Sequence, residues 1–434
     1  YSGNFYTNFD FNSPKDRIKT LIESISPKII ITNQEGLSLL KEFRLLDAIL
    51  IMNVEEALID KALYSTSVIS NIMAIKIDTD PACIISTSGS TGIPKSVVLS
   101  HRNIIDFIDW CIETFTFNQS DVIGSLSPFH FDIYILELFV SLSQGSVLHI
   151  IPPKESTFPA DLVNFLLINS VTFIFWVPTI MVNISNLDIL DVIKLSKLKK
   201  VFFAGEVFPT KHLNYWRTKL PDAEFVNLYG PIEIAVDCTY YVVNRFFEDG
   251  ESVPIGKPCR NTDIIILDSN NKSVKDGGQG ELCVRGSSLS LGYFNNLDQT
   301  NKVFVQNPLI NSYPEKIYRT GDLVYKNTHG EIMFVGRKDF QIKHMGYRIE
   351  LLEIELAALS MHEVKNACIL YNNALKQIIM VYESDRELSD TSIRLKLSSK
   401  LPKYMLPTKI KKVGLIPRNS NGKIDRQKLL LEFL

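Results

Sequence analysis

Between Ser86 and Lys95 the chain reads Ser-Thr-Ser-Gly-Ser-Thr-Gly-Ile-Pro-Lys. Glycines in such a stretch permit positive φ and close backbone approach, while hydroxyls, amides and a lysine supply donors to anionic oxygens. The composition predicts a loop that wraps polyphosphate, and hence nucleoside triphosphate chemistry. It is not a P-loop, because Gly92 is followed by Ile-Pro-Lys and Lys95 by Ser96, and Pro94 blocks a helix from starting inside the loop. A plain polar surface loop has the same composition, so the assignment depends on what accompanies it.

The elements that must position this loop alternate in type. Lys28–Thr32, Ala82–Ser86, Val147–Ile151 and Thr172–Trp176 are β-rich runs, with amphipathic helical patterns at Asp16–Ser26 and Ser156–Ile168. That alternation predicts an α/β architecture with largely parallel sheets. From about Gly256 the texture changes to short alternating strands with turn signals at Asp268–Asn271, Asp276–Gly280 and Asn327–Gly330, the pattern of a compact β-rich subdomain. After Gly336-Arg337-Lys338-Asp339 a further unit begins, with helical patterns at Glu350–Ser360 and Thr391–Lys400 and strands at Ala367–Tyr371 and Gln377–Tyr382, which puts a domain boundary near Asp339.

With 434 residues, 45% of them hydrophobic and 22% charged, the chain has ample core for two or three domains. A formal charge of -2, with its most basic stretch at Lys194–Lys200 interleaved with apolar residues, gives no nucleic-acid footprint. The six cysteines are scattered without metal-ligand spacing and are expected to be reduced and mostly buried. No apolar run reaches spanning length and no signal peptide is visible, so no membrane partner and a cytoplasmic location are expected.

Several segments occur in one known order: Thr87–Lys95, Phe131-Asp132, Asn227–Glu233 (Asn-Leu-Tyr-Gly-Pro-Ile-Glu), Gly280–Gly286 with Gly292-Tyr293, Tyr318–Asp322 (Tyr-Arg-Thr-Gly-Asp), Gly336–Glu355 and Asn419–Lys428. Together they resemble the adenylate-forming superfamily of acyl- and aryl-CoA ligases, luciferases and nonribosomal peptide synthetase adenylation domains. The resemblance covers nearly the full length. It implies a large N-terminal adenylation core at 1–338, built of α/β subdomains with the β-rich one at about 256–338, and a small mobile α+β C-terminal domain at 339–434. The opening, Tyr6 to Thr32, resembles a region well inside family members, so a preceding N-terminal portion is expected.

Adenylation joins a carboxylate to the α-phosphate of ATP and expels pyrophosphate, which calls for cations and oriented N–H groups around two anions. By resemblance, Thr87, Ser88, Gly89, Ser90, Thr91, Gly92 and Lys95 clamp the departing phosphates, and Glu233 holds Mg²⁺. Tyr229 stacks on adenine, Asp322 accepts the ribose hydroxyls, and Arg337 binds the nucleotide nearby. The resemblance implies that Lys423 is the catalytic lysine that bridges the substrate carboxylate and α-phosphate. Asp339 matches the family's hinge, about which the C-terminal domain is expected to turn, after which the segment Gln341–Gly346 is expected to line a tunnel for a phosphopantetheine thiol. Two departures stand out: Ser96 replaces a glycine, and Ile232 replaces a threonine.

Asp132 matches the aspartate with which amino-acid-activating members pair the substrate α-ammonium. Around it the resemblance places Ile133, Leu136, Phe175 and Phe202, then Ala204, Leu228, Val236 and Asp237, as the pocket wall. Apolar walls offer nothing to a charged side chain. The line Asp-Ile-Leu-Phe-Phe-Ala-Leu-Val looks like that of free-standing L-prolyl-AMP ligases, which makes proline the favoured amino acid and Asp237 the departure. A separate phosphopantetheinylated carrier protein is the implied partner. The alternatives are an aryl- or small-acid CoA ligase, and a catalytically degenerate nucleotide-binding paralogue.

Overall fold

The computed structural model describes residues 3–43, 49–57, 66–88, 94–249, 251–275, 277–338, 341–418 and 424–433. Its centre is a seven-stranded sheet in the order Lys257–Pro258, Thr239–Val242, Glu224–Tyr229, Lys200–Phe203, Phe173–Trp176, Val122–Ser125, Val147–Ile150. The five strands from Glu224–Tyr229 to Val147–Ile150 run parallel. Such strands are covered on both faces, so they read as continuous apolar runs rather than alternating ones. Phe-Ile-Phe-Trp at Phe173–Trp176 is an example: Phe173 and Phe175 join one core with Phe202 and Leu228, while Ile174 and Trp176 join another with Val201 and Phe203. The first of these cores is the one that faces the candidate site.

The fold is α/β, as the alternation implied, but the sheet beside the phosphate loop is mixed. Pro81–Thr87 pairs parallel with Tyr6–Thr7 and antiparallel with Lys95–Ser100, which pairs antiparallel with Gly292–Tyr293. Two antiparallel strands joined by a glycine-rich connection form a hairpin, a local pairing that helix–strand alternation cannot reveal. The β-rich region forms a five-stranded antiparallel sheet centred on Gly280–Gly286 and Lys316–Lys326. Residues 366–413 form a three-stranded sheet, packed with the helices Leu351–Leu359 and Asp390–Ser398 in a separate apolar cluster. The expected hinge, Asp339, lies outside the described residues, as does Asp276 of one turn signal. All six cysteines are buried and none forms a disulfide. Among the described residues no helix is long and apolar enough to cross a membrane.

Candidate functional site

The phosphate loop joins two paired strands, with Thr87 opposite Lys95 in register. Gly89, Ser90, Thr91 and Gly92 lie outside the described residues, as does Lys423. What flanks the loop is held by a second hairpin, 341–350, formed by Gln341–His344 against Tyr347–Glu350. Ser88 Oγ donates to the Arg348 carbonyl at 2.5 Å and accepts from the Glu350 amide at 3.1 Å. Lys95 Nζ lies 2.8 Å from Glu350 Oε1, which also accepts from Gln341 Nε2. Ser96 points away from the loop and meets Ser86 across the strand pair, Oγ to Oγ 3.1 Å.

The central strand Glu224–Tyr229 delivers the next group. Tyr229 donates its hydroxyl to Asp322 Oδ2, and Arg337 Nη1 donates to Asp322 Oδ1 at 2.8 Å and to the Thr320 carbonyl at 2.9 Å. Asp322 and Arg337 face each other in register on adjacent strands. Lys343, from the hairpin, sits over the Tyr229 ring at 5.4 Å from its centroid. Burial pushes the Lys343 ammonium below its usual range, against the pull of Asp322.

Beyond Tyr229 the chain turns through Gly230-Pro231 into a 3₁₀ turn, Ile232–Ile234. Glu233 is fully buried, with Oε1 accepting from Tyr293 Oη at 2.7 Å and Oε2 from Arg348 Nη1 at 2.5 Å. Burial would raise this carboxyl, but the Arg348 charge and hydrogen bond win and hold it below the usual range. In this arrangement each Glu233 oxygen accepts one hydrogen bond and the Arg348 guanidinium supplies the positive charge expected of a magnesium ion there, so the ion would have to displace Arg348. No step of the chemistry is routed through the ion. Among the described residues no group of three or more His, Cys, Asp and Glu could hold a metal ion. Ile232 is buried in the core next to the cavity, where a threonine hydroxyl would enter an apolar cluster.

A cavity of about 250 Å³ opens beside this cluster. Asp132, Ile133, Phe175, Ala204, Val236 and Asp237 line it. Leu136, Phe202 and Leu228 do not; they pack in the core behind that wall. Asp132 sits at the N-terminus of the helix Ile133–Gln144 without capping it. Burial raises its carboxyl to about 6, partly opposed by the Lys343 charge. The other end of the cavity is formed by Arg17, Met345, Gly346, Tyr347 and Tyr404. There Tyr347 stacks on Tyr404 at 3.5 Å, and Phe131 meets Tyr347 edge-on. Arg17 pairs with Glu353 across the same end.

The sequence reading missed Arg17, Tyr293, Arg348, Glu350 and Tyr404, and it placed Lys343 only within the segment expected to line the thiol tunnel, not beside Tyr229 and Asp132. Gly292-Tyr293 and Gly336–Glu355 were visible as motifs, but their charges acquire partners only through contacts far apart in the chain.

The profile of the family described as AMP-binding enzyme matches residues 1–294. Zwittermicin A synthase ZmaJ of Bacillus cereus is 31% identical over 99% of this chain and 81% of its own length. Tyrocidine synthase 1 of Brevibacillus parabrevis is 31% identical over 99% of this chain, and the match spans only 38% of that protein. For bacitracin synthase 1 of Bacillus licheniformis, 32% identical, the span is 8%. Among solved structures, the Vibrio cholerae adenylation domain AlmE, in complex with glycyl-adenosine-5'-phosphate, superposes with a TM-score of 0.82 at 22% identity, covering 100% of this chain and 85% of that one. A protein containing adenylation and PCP domains gives 0.81 at 22% identity, covering 99% and 72%. At these identities the structures speak for the fold.

Proposed function

The chain belongs to the AMP-binding enzyme family of adenylate-forming ligases, and from that premise we propose that it activates an amino acid as its aminoacyl-AMP. In the first half-reaction a carboxylate oxygen attacks the α-phosphorus of ATP and pyrophosphate leaves. In the second, the thiol of a separate phosphopantetheinylated carrier protein attacks the acyl carbon, the thioester forms, AMP leaves with the bonding electrons, and the thiol proton passes to solvent. The observation that carries the amino-acid reading is Asp132, a carboxylate set in a largely apolar cavity wall. An α-ammonium supplies a direct counter-charge where the Lys343 charge only partly offsets the burial of this group.

The remaining roles follow the resemblance. Asp322, with Tyr229 and Arg337 bonded to it, takes the ribose and adenine side of the nucleotide. Lys95 and the loop before it take the phosphates that leave. Lys423 neutralises the carboxylate and α-phosphate as both gain charge in the transition state. Residues 339–434 turn about Asp339 between the half-reactions, and the aromatic end of the cavity at Tyr347 and Tyr404 admits the thiol. Phe175, Val236 and Ile133 favour a compact side chain, and proline is the substrate favoured by the resemblance.

ATP–pyrophosphate exchange against a panel of amino acids tests this reading. Exchange that depends on an amino acid, and that Asp132→Ala removes, is the expected result. Exchange driven instead by aryl or fatty acids, with CoA as the thiol acceptor, would overturn it.

A further inference from the structure

Neither half-reaction gives a task to His130, although its side chain lines the cavity. The residue sits in a turn closed by the Phe131 amide, which donates to the Pro128 carbonyl at 2.9 Å, and Asn8 Nδ2 donates to the Phe129 carbonyl at 2.7 Å. From that tied backbone the imidazole packs on Phe131 with ring centroids 4.9 Å apart. Phe131 meets Tyr347 at 5.0 Å, and Tyr347 stacks on Tyr404. This chain of rings forms the end of the cavity proposed to admit the thiol. His130 is its one member able to exchange a proton near neutral pH, and among the described residues neither of its ring nitrogens is hydrogen-bonded.

The charges around the ring leave it neutral and ready to accept. Burial holds the imidazole below its usual range, against the pull of Asp10, so at pH 7 one nitrogen carries a free lone pair. Asp10 acts on Tyr347 and Tyr404 as well, which places its carboxylate at the same end of the cavity, where it would offset an imidazolium. The other groups there are poor acceptors for a thiol proton. Arg17 is paired with Glu353 and Arg348 with Glu233, while the Lys343 ammonium faces Asp322, Asp237 and Asp132 from beside the Tyr229 ring. Asp132 is assigned to the substrate ammonium. Burial and the Asp132 charge outweigh Lys343 and hold the Asp237 carboxyl well above the usual carboxylate range, and burial keeps both phenols protonated.

We propose that His130 is the general base of the second half-reaction, taking the proton of the phosphopantetheine thiol as the sulfur attacks the acyl-adenylate. The proposal rests on the carrier-loading reading. The S–H bond breaks towards an imidazole nitrogen and the sulfur forms its bond to the acyl carbon. The bond from that carbon to the AMP oxygen breaks, and its electron pair leaves on AMP. The imidazolium then gives its proton to solvent. A thiol of pKa near 8.5 is only about 1% ionised at pH 6.5, and the thiolate is the nucleophile, so a base counts most where solvent supplies least thiolate.

The test is single-turnover transfer by the full chain. Aminoacyl-adenylate is formed in place from ATP and the amino acid that drives exchange, then chased with free pantetheine between about pH 6.5 and 9.5, a range that spans the thiol pKa. Rates are taken above adenylate hydrolysis and per adenylate formed, so that a variant which folds or activates less well is still read. The native rate should change little with pH. His130→Gln, polar and of similar size but not basic, should fall behind by up to about a hundredfold at pH 6.5 and draw level above the thiol pKa, where thiolate forms without a base. Added imidazole should restore part of the rate to His130→Ala. A defect of the same size at every pH, the mark of a structural role, or no defect at all, overturns the base while sparing amino-acid activation. Native adenylate that reacts with no thiol removes the carrier-loading reading and the proposal with it, and no adenylate with any amino acid removes activation itself.

Discussion

The hairpin 341–350 makes the contacts that a bound nucleotide is expected to make. Arg348 lies on Glu233, Glu350 on Lys95, and Lys343 over the Tyr229 ring, while Ser88 is tied to the backbone of Arg348 and Glu350. A carboxylate thus stands at the phosphate-loop lysine and an ammonium over the ring expected to stack on adenine, so ATP and the docked hairpin compete for the same groups, and the Arg348–Glu233 pair holds the hairpin in its docked place. Arg348→Ala tests this competition. The pair it removes is 14% and 0% exposed at its two side chains, and deleting one partner of a buried ion pair costs about 3–5 kcal/mol because the other charge is left uncompensated. That cost falls only on the docked hairpin, since an undocked one leaves Glu233 free to take other partners. The docking equilibrium should shift by roughly a hundredfold to several thousandfold, at 1.4 kcal/mol per factor of ten. Apparent ATP affinity, which is the intrinsic value reduced by the competent fraction, should rise by up to that factor. Calorimetric titration with ATP should show Kd falling at least about tenfold in the variant. Hydrogen exchange across 341–350 should accelerate in the variant without nucleotide, and in the native chain on adding ATP. Weaker ATP binding by Arg348→Ala, or hairpin amides equally protected with and without ATP, would refute the competition.

Acidification should weaken amino-acid binding. Asp132 is raised from 3.8 to about 6, so KM for the amino acid in pyrophosphate exchange should climb as pH falls through 6, when the carboxylate that meets the ammonium is protonated. The effect on ligand-free stability has the opposite sign: a buried acid whose folded pKa is raised binds its proton more tightly when folded. Its contribution is full below the unfolded value and is lost as pH rises through about 6, which urea titrations at pH 5 and pH 7.5 on native protein and Asp132→Asn can resolve by difference. Gly230→Ala should destabilise by about 1–3 kcal/mol through overpacking and should raise KM for the amino acid, because the added Cβ meets the backbone of Val236 and Asp237; an unchanged melting temperature would count against the tight approach. Lys423→Ala should abolish exchange while leaving transfer from supplied aminoacyl-adenylate to the carrier thiol largely intact. Asp339→Pro should show the reverse bias, since fixing φ restricts a hinge; equal slowing of both half-reactions by both variants would remove the two-state assignment.

Local chemistry was the legible part of the sequence. Runs such as Phe173–Trp176 announced buried strands because both faces of a parallel strand are covered, and the helix at Lys15–Ile25 fell within a residue of the expected Asp16–Ser26 because one face of it is apolar. The expected helix Ser156–Ile168 is instead two, Pro153–Ser156 and Pro159–Ile168, broken where Pro159 restricts its predecessor Phe158 to extended backbone. The antiparallel pairing of Pro81–Thr87 with Lys95–Ser100 was not legible, because apolar runs carry strand identity but not direction.

The substitutions that looked like signs of decay have local partners instead. Ser96 faces Ser86 across a strand pair, a short-range fit that a glycine could not make, and Ile232 completes the core beside the cavity. Neither places a clash or an uncompensated charge among the described residues of the nucleotide site. Asp237 is different in kind, since it brings a carboxyl oxygen without a hydrogen bond and a strained turn into a wall whose charges are Asp132 and, across the cavity, Lys343 and Arg348. A sequence shows such a residue only as a letter out of pattern, whereas its burial and its missing partner depend on Gly230, Val236 and Asp132 meeting in space. The same holds for Arg348 and Glu350. Arg348 lay without a role inside the motif Gly336–Glu355 and Glu350 at the start of an expected helix, yet Arg348–Glu233 joins positions 115 apart and Lys95–Glu350 positions 255 apart. Pairings at that range are set by how the hairpin docks, and docking is the property that ATP is expected to reverse.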